Sequence, residues 1–431
     1  MNKDFRAPQV KSITPIQLLS FYKKRYKAHF KTKSRLSVSC WKEFFTELFF
    51  DLIGVTFFVI SKVFFRVEVW EVANGSVKLS HFIEGIESHL RNSNHRLSRK
   101  RTLRFIYWPL EYPNDFLGSC YEELVTNIFR SRYLKRCFLF LKKGNLKGIN
   151  WRKAIVNRTN LEELRAFDAG SVSISFKDSH LESGAQLERH LFGSSGTDYV
   201  VFAYTSCEYR KNIDGPDWPK DNFVEKLPNP ETFKLMISNL RINGLGVVRM
   251  GLNLDDSSNL VEAGLVVPRL KESKSGFNDV WLSAHCKLLV TAHTGAFFFA
   301  EAFNKPWVGT DVHTFAYPNW SSRGTLIFCL CWNEEEQKFA SFQWMKDNPR
   351  WCYDSARVGK LWKVVHNTPE QIVDVVTEKL ARINGEWVDS VEDRELQKRF
   401  QRFVFGDVKD FSFLPRAGTK FLREHQHLLP D

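Results

Sequence analysis

The strongest constraint on the fold is a regular alternation of short apolar runs and helical patterns between residues 198 and 311. Each run is bounded by turn residues and is too short for a typical helix, which favours a buried strand. Strands that alternate with helices build a parallel sheet, and such sheets bind ligands at the carboxyl ends of their strands. The apolar runs are 198–206, 245–251, 263–269, 287–292 and 305–311, and the predicted helices are 231–244, 279–286 and 294–304.

A weaker form of the same pattern occupies residues 67–196, with strand-like runs at 67–72 and 105–110. The sequence therefore predicts an α/β protein with two halves, 67–196 and 197–390. The remaining residues, 391–431, are charged and helical in pattern. We expect them to pack back on the first half.

The amino-terminal arm, residues 1–43, is strongly basic. The first 42 residues hold eleven Lys and Arg against one acid, so they supply most of the formal charge of +13. A basic arm binds nucleic acid or an anionic membrane surface. The nearly neutral body argues against nucleic acid, and the apolar segment that follows the arm favours a membrane.

A Phe-rich segment over residues 44–66 contains Glu47, Asp51 and Lys62. Each charge near a bilayer centre costs about 2.5–3.5 kcal/mol, and the best apolar window, 48–61, is too short to span. We favour an interfacial helix that lies on the anionic, cytoplasmic face of the inner membrane as a peripheral anchor. A buried helix and a single span remain open alternatives.

Several common catalytic patterns are missing from the sequence. The eight cysteines form no C-x-x-C pair, which favours reduced, mostly buried thiols. The chain has no Walker A loop, no G-x-G-x-x-G, no G-x-S-x-G, no H-E-x-x-H and no D-x-D. We therefore expect no metal site and no cofactor.

The run 287–309 predicts a strand, a turn of small residues and a helix. The backbone amides of Thr294, Gly295 and Ala296 would face a ligand at the start of the helix, where anions bind readily. His293 would either polarise a phosphate or pack as a neutral core residue. The alternative for the whole turn is ordinary helix capping.

Arg249 lies at the carboxyl end of a predicted strand, where it would bind phosphate or form a structural salt bridge. If its strand neighbours the strand at 287–292, Arg249 and the turn face one crevice. Glu301, in the following helix, would accept from ribose hydroxyls or be a solvated helix residue.

The acid–base candidates are less sharply defined. Asp311 and His313 follow a strand and could contact the acceptor or act as a base. In the first half, His81, Asn114 and Asp115 would lie at carboxyl ends of strands. His81 and Asp115 are the candidates for the base of an inverting transfer, and Asn114 is a candidate substrate contact.

Three stretches of the sequence are informative together: LGVVRMG (245–251), DVWLSAHCKLLVTAHTGAFFFAEAFNKPWVG (279–309) and GTKFLREHQHLL (418–429). They resemble a group of bacterial glycosyltransferases from surface-polysaccharide gene clusters. The helix at 79–92 is similar to an early helix of that group, with Ser80 in place of Gly. The turn at 291–297 is similar to the Asp-Thr-Gly-Pro turn of heptosyltransferases, although the acid is absent here.

The resemblance implies a GT-B architecture, in which two Rossmann-like domains face a cleft. It further implies a nucleotide-sugar donor held mainly by the second domain, with no essential metal. The group tends to carry Arg-Asp after the first strand of that domain, where this chain has Tyr204 and, further on, Arg210. Both residues are candidate substrate contacts.

The predicted function is therefore a hexosyl or related glycosyl transfer from a nucleotide-sugar to a glycan acceptor, which we expect to be lipid-linked. Tyr204, in place of the Arg-Asp pair, motivates a non-catalytic nucleotide- or glycan-binding protein of the same fold as the alternative. Another enzyme acting on nucleotide-sugars also remains open.

Overall fold

The structure is a computed structural model, and it describes sixteen parts of the chain. They are residues 49, 66–71, 82–87, 90–91, 102–107, 114–124, 128–129, 149–153, 161–205, 227–251, 258–268, 276–292, 294–315, 321–349, 351–353 and 359–430. The predictions for the basic arm, most of the Phe-rich segment, His81, Arg210 and His293 fall outside them. No helix in these parts has the length and apolarity that a membrane crossing requires.

The first compact unit consists of residues 1–89, 93–112 and 125–155. Its four described strands form one parallel sheet in the order β3-β2-β1-β4. This order matches the first four strands of the doubly wound order 3-2-1-4-5-6. The strands are β1 (Arg66–Glu71), β2 (Thr102–Tyr107), β3 (Ile128–Phe129) and β4 (Ile149–Lys153).

The second unit contains residues 90–92, 113–124 and 156–431. Its main sheet has six parallel strands in the order β13-β9-β8-β7-β5-β6, and the central strands are buried along their length. Parallel sheets are covered on both faces, which explains the continuous apolar runs of the sequence. The strands are β5 (Tyr199–Tyr204), β6 (Gly246–Arg249), β7 (Leu288–Ala292), β8 (Trp307–Val312), β9 (Gly324–Phe328) and β13 (Arg416–Ala417).

Helices follow most strands of the second unit, and a small antiparallel sheet follows β9. The predicted α/β class and parallel sheets are confirmed, while the run at 263–269 forms only an isolated bridge at Val266. The helices are α1 (Asp115–Leu124), α2 (Leu161–Ala169), α3 (Asp178–Phe192), α4 (Lys234–Ile242), α5 (Ser258–Glu262), α6 (Phe277–His285), α7 (Phe297–Ala302), α8 (Phe342–Asp347), α9 (Pro369–Ile383), α10 (Val391–Phe405) and α11 (Thr419–His425). The small sheet contains β10 (Leu330–Asn333), β11 (Lys338–Phe339) and β12 (Trp362–Val365).

The division between the units lies near residue 156, earlier in the chain than the predicted boundary at 196. Helix α3 belongs to the second unit because it packs closely on α6. A Cβ on Gly184 would lie 2.0 Å from the ring of Trp281, and the Trp281 indole donates to Glu188 at 3.0 Å. Local periodicity identifies such a helix but not the sheet on which it packs.

The carboxyl-terminal segment differs from the prediction that it packs back on the first half. Its described contacts lie in the second unit, where β13 pairs with β9. Phe400 on α10 and Phe421 on α11 both contact Phe328 at the end of β9. All three rings are buried, so these helices complete the core of the second unit.

Candidate functional site

The strand order of the second sheet reverses beside β5. The chain passes from β5 to β6 on one side, and β7 then pairs with β5 on the other side. Helical connections on opposite faces diverge at such a switch point and leave a crevice at the carboxyl ends of the strands. The switch point here lies between the ends of β5 and β7, at Tyr204 and Ala292, which are paired residues.

The turn after β7 lies at this crevice. Thr294 and Gly295 are half-buried, and the Thr291 hydroxyl donates to the Thr294 carbonyl at 3.3 Å. Helix α7 begins only at Phe297, and no side chain caps it, so the alternative of ordinary helix capping by this turn is not found. The amides of Phe298 and Phe299 already donate to the carbonyls of Gly295 and Ala296, so the candidate donors for an anion are the amides of the turn itself.

Arg249 ends β6 on the other side of β5, so it does not come from a strand adjacent to β7 as the simplest prediction required. Its guanidinium carbon lies 4.1 Å from the centre of the Tyr204 ring. Both residues are almost fully buried, where a stacked cation gains about 2 kcal/mol. Tyr204 therefore holds Arg249 at the edge of the switch point.

Glu301 is neither solvated nor available to a ribose. It is fully buried, and its carboxylate accepts from the Trp307 indole at 2.7 Å, the Ser321 hydroxyl at 2.7 Å and Arg323 at 2.9 Å. Arg323 directly precedes β9, so this network lies at the amino-terminal end of that strand, away from the crevice. Glu301 therefore stabilises the fold, which corrects its predicted role as a donor contact.

Asp311 has an unusual backbone and an unusual environment. Its φ is +52°, and the register between β8 and β9 shifts between Gly309 and Val312, which marks a bulge. One carboxylate oxygen, Oδ1, accepts from the backbone N–H of Asn367 at 3.0 Å and lies 3.0 Å from Nδ1 of His366. The other, Oδ2, is buried without a hydrogen-bond partner. Such an oxygen costs about 1–3 kcal/mol.

His313 is a core residue. It is 3% exposed, its Nδ1 lies 3.5 Å from the Cys329 sulfur, and its carbonyl accepts from the Trp351 indole at 3.0 Å. Burial raises the pKa of the Cys329 thiol well above its ordinary value, so the thiol stays protonated. The predicted contact between His313 and a substrate thus has no support in this packing.

Asn114 and Asp115 belong to the second unit and not, as predicted, to the first. Asn114 accepts from the Leu117 amide at 2.9 Å and donates to the Gly276 carbonyl at 3.0 Å. These bonds cap α1 and tie it to the start of α6, which accounts for the residue structurally. Asp115 is exposed in the first turn of α1.

Two residues at this edge were missed in the sequence. Asp279, in the first turn of α6, accepts from the Gly251 amide just beyond β6 at 3.3 Å, and burial raises its pKa to about 6. In a sequence, an acid in the first turn of a helix is interpreted as an ordinary interaction with the helix dipole, so Asp279 did not stand out. His366 follows β12 and contacts Asp311 only through tertiary structure, so no local signal marks it.

The described residues contain no cluster of three or more His, Cys, Asp or Glu side chains arranged to hold a metal ion. Among the described residues, none of Cys120, Cys286, Cys329, Cys331 and Cys352 forms a disulfide.

Comparison with known proteins gives distant matches to solved structures. No protein-family model matches the chain, and no curated protein matches it. A family 9 glycosyl transferase from Veillonella parvula is 10% identical, with 74% of this chain and 99% of that chain covered and a TM-score of 0.44. The E. coli ADP-heptose lps heptosyltransferase II is 14% identical, with 74% and 100% covered and a TM-score of 0.42. E. coli heptosyltransferase WaaC with ADP-2-deoxy-2-fluoro heptose is 10% identical, with 61% and 92% covered and a TM-score of 0.33.

Proposed function

We propose that the chain is a glycosyltransferase that binds a nucleotide-sugar at the switch point of its second sheet. The observation that carries the proposal is the position of Arg249 and of the turn formed by Thr294, Gly295 and Ala296. They come from strands on either side of β5, at the carboxyl edge where open α/β sheets bind ligands.

The chemistry of the transfer fits these groups. Negative charge builds on the diphosphate as the bond to the sugar breaks, and donors already aimed at that charge lower the barrier. Arg249 can pair with phosphate oxygens in a bidentate way, and the amides of the turn add neutral donors. This arrangement balances the charge of the leaving group without requiring a metal ion.

The proposal also concerns the acceptor, and this part of it depends on the amino-terminal sequence. The basic arm and the Phe-rich segment, residues 1–66, support a glycan acceptor linked to lipid at the cytoplasmic face of the inner membrane. In this proposal the arm binds anionic lipid and not nucleic acid. Transfer would then occur close to the membrane surface.

A second candidate is a nucleotide- or glycan-binding protein without activity. It is favoured by the fate of the nominated acids, since Glu301 is bound within the fold and Asp115 is an exposed residue of α1. Of the two candidates for the base, His81 lies outside the described residues and Asp115 is exposed on α1, so neither is assigned as the base. Turnover of a bound nucleotide-sugar separates the two candidates.

The first experiment measures the thermal shift of the full chain with ADP, UDP, GDP and CMP. We expect one nucleoside diphosphate to raise the Tm, and Arg249→Ala to weaken its binding by about tenfold or more, since a charge-assisted hydrogen bond contributes about 1.5–3 kcal/mol. The matched control is Arg402→Ala, which removes an exposed Arg on α10. Absence of binding to every nucleotide, or unchanged affinity in Arg249→Ala, would refute the proposal.

A second experiment tests activity. The nucleotide-sugar that corresponds to the selected diphosphate is incubated with the chain and with membranes that carry lipid-linked glycans. Release of the diphosphate and labelling of the lipid fraction support the transferase. Tight binding of an unreacted donor would favour the non-catalytic alternative.

A further inference from the structure

The chain that leaves β6 carries a glycine with space beside it. Met250 extends the pairing with β5, since its amide donates to the Phe202 carbonyl at 2.9 Å, and Gly251 follows with a φ of +119°. Gly251 is exposed, and a Cβ at this position would meet no described residue within 4 Å other than its chain neighbours. A glycine in this conformation lets a ligand approach the backbone closely.

A carboxylate lies beside this glycine. Asp279, in the first turn of α6, accepts from the Gly251 amide at 3.3 Å. One turn further along α6, the Ser283 hydroxyl donates to the sulfur of Met250 at 3.2 Å. These two contacts, four residues apart on one face of α6, hold the helix against the end of β6. Because Arg249 precedes Gly251 by two residues, the carboxylate belongs to the same edge of the sheet as Arg249.

The fold uses this carboxylate only weakly. Its hydrogen bond from Gly251 is longer than the usual 2.7–3.2 Å, and it is the one hydrogen bond that the described parts of the chain give to Asp279. Asp279 is half-buried, and burial raises its pKa to about 6 without a contribution from any charged side chain of the described residues. Its ionisation therefore destabilises the fold at neutral pH. An acid that the fold neither pairs nor needs is a candidate functional group.

The strand order indicates which part of a nucleotide lies here. An isolated parallel bridge joins Val266 to Val248 of β6, in the position of a third strand outside β6. With this bridge, the sheet has the doubly wound order 3-2-1-4-5-6, in which β5 is strand 1, β6 is strand 2 and β7 is strand 4. In that fold the ligand crosses the switch point between strands 1 and 4, and an acid beside strand 2 binds a ribose hydroxyl. Asp279 is the described acid at the end of β6.

We propose that Asp279 recognises a ribose hydroxyl of the nucleotide-sugar. Oδ1 keeps its bond from the Gly251 amide, and Oδ2 accepts from the hydroxyl. An ionised carboxylate only accepts, and each of its oxygens has room for a donor, so the new bond replaces none that the described residues make. The space beside Gly251 accommodates the ribose. The inference rests on the proposed donor site and deepens it, because it makes the ligand a ribonucleotide in preference to its deoxy form.

The experiment is calorimetric titration of the full chain with the nucleoside diphosphate that raises the Tm and with its 2′,3′-dideoxy analogue, at pH 7.5 and at pH 5.0. Both ligands carry the same base and diphosphate, so the ratio of their Kd values isolates the ribose hydroxyls and cancels the ionisation of the phosphates. The variants are Asp279→Ala and Asp279→Asn. The matched control is Asp178→Asn, which changes an exposed acid in the first turn of α3. The Tm of each variant is measured first, to establish that it is folded.

We expect the wild-type chain at pH 7.5 to bind the ribonucleotide about tenfold more tightly than the dideoxy analogue, which corresponds to about 1.4 kcal/mol. At pH 5.0 about a tenth of the Asp279 carboxyl is ionised, so the preference should fall to about twofold. Asp279→Ala should have no preference at either pH but bind the dideoxy analogue as the wild type does. Asp279→Asn should keep a smaller preference that does not change with pH, and Asp178→Asn should behave as the wild type.

An Asp279 that only ties α6 to β6 would give a different result. Asp279→Ala would then weaken both ligands equally, and that outcome overturns the inference while leaving the donor site intact. A preference of the wild type that is absent, that is equal at both pH values or that persists in Asp279→Ala also overturns it. A wild-type chain that binds no nucleoside diphosphate refutes the proposed function itself, so the two failures are distinguishable.

Discussion

The buried carboxylate of Glu301 allows a sharp test of its role in the fold. We consider Glu301→Gln, which keeps the volume of the side chain and removes its charge. The native carboxylate accepts from Arg323 at 2.9 and 3.3 Å and from Trp307 and Ser321 at 2.7 Å each. The new amide nitrogen would place a donor opposite at least one of these donors.

The expected loss of stability follows from this geometry. Removing one partner of a buried ion pair costs about 3–5 kcal/mol. Arg323 is 14% exposed, so water can partly compensate, and we expect about 3 kcal/mol. At about 2–4 °C per kcal/mol, the Tm should fall by about 10 °C.

Thermal unfolding followed by circular dichroism measures the stability, and calorimetry with the selected nucleotide measures the affinity of the folded protein. The matched control, Glu395→Gln, removes an exposed carboxylate on α10 and should change stability by less than about 0.5 kcal/mol. A Glu301→Gln protein with the stability of the wild type but with lost nucleotide affinity would show that Glu301 faces the ligand.

Three further predictions concern other parts of the chain. Gly184→Ala places a methyl group 2.0 Å from the Trp281 ring and should destabilise the protein by at least about 1–3 kcal/mol, whereas the exposed neighbour Ser183→Ala should have little effect in the same denaturation assay. Burial raises the pKa of Asp279 from 3.8 to about 6, so ionisation of this carboxyl destabilises the folded state as the pH rises through that window. Asp279→Asn should therefore have a higher Tm than the wild type at pH 7.5 and the same Tm near pH 3.5. A Tm difference that does not change with pH would contradict the raised pKa. The basic arm, residues 1–43, predicts that the full chain sediments with anionic vesicles at low salt and is released at high salt; equal binding to neutral vesicles would exclude this electrostatic attachment.

Four strands of the second sheet, β5 to β8, were predictable because each one lies in a buried, mostly apolar run, whereas β9 and β13 were not predicted. The predicted run 287–292 and the observed β7, Leu288–Ala292, differ by one residue. The order of the strands was not predictable, because β5 separates β6 from β7 through pairings between residues that are distant in sequence. Arg249 and the turn after β7 therefore lie on opposite sides of Tyr204, an arrangement that local patterns cannot give.

The roles of individual acids could not be predicted from local sequence patterns either. Glu301 is the one charged residue of the otherwise apolar helix α7, and Ser321 and Arg323, which bind it, are about twenty residues further on. Asp311 was a plausible contact from its position after a strand. Its bulge and its bonds to His366 and Asn367 depend on a loop more than fifty residues away.

Glu301 and Asp311 differ in how completely the fold supplies hydrogen-bond donors to their carboxylates. Both carboxylates are almost completely buried, but the fold supplies donors to both oxygens of Glu301 and to only one oxygen of Asp311. A carboxylate with every oxygen bonded gives a ligand little to add, because any new hydrogen bond must replace an existing one. The incomplete set at Asp311, on a backbone with a positive φ, therefore carries a free-energy cost of about 1–3 kcal/mol that the fully bonded carboxylate of Glu301 does not.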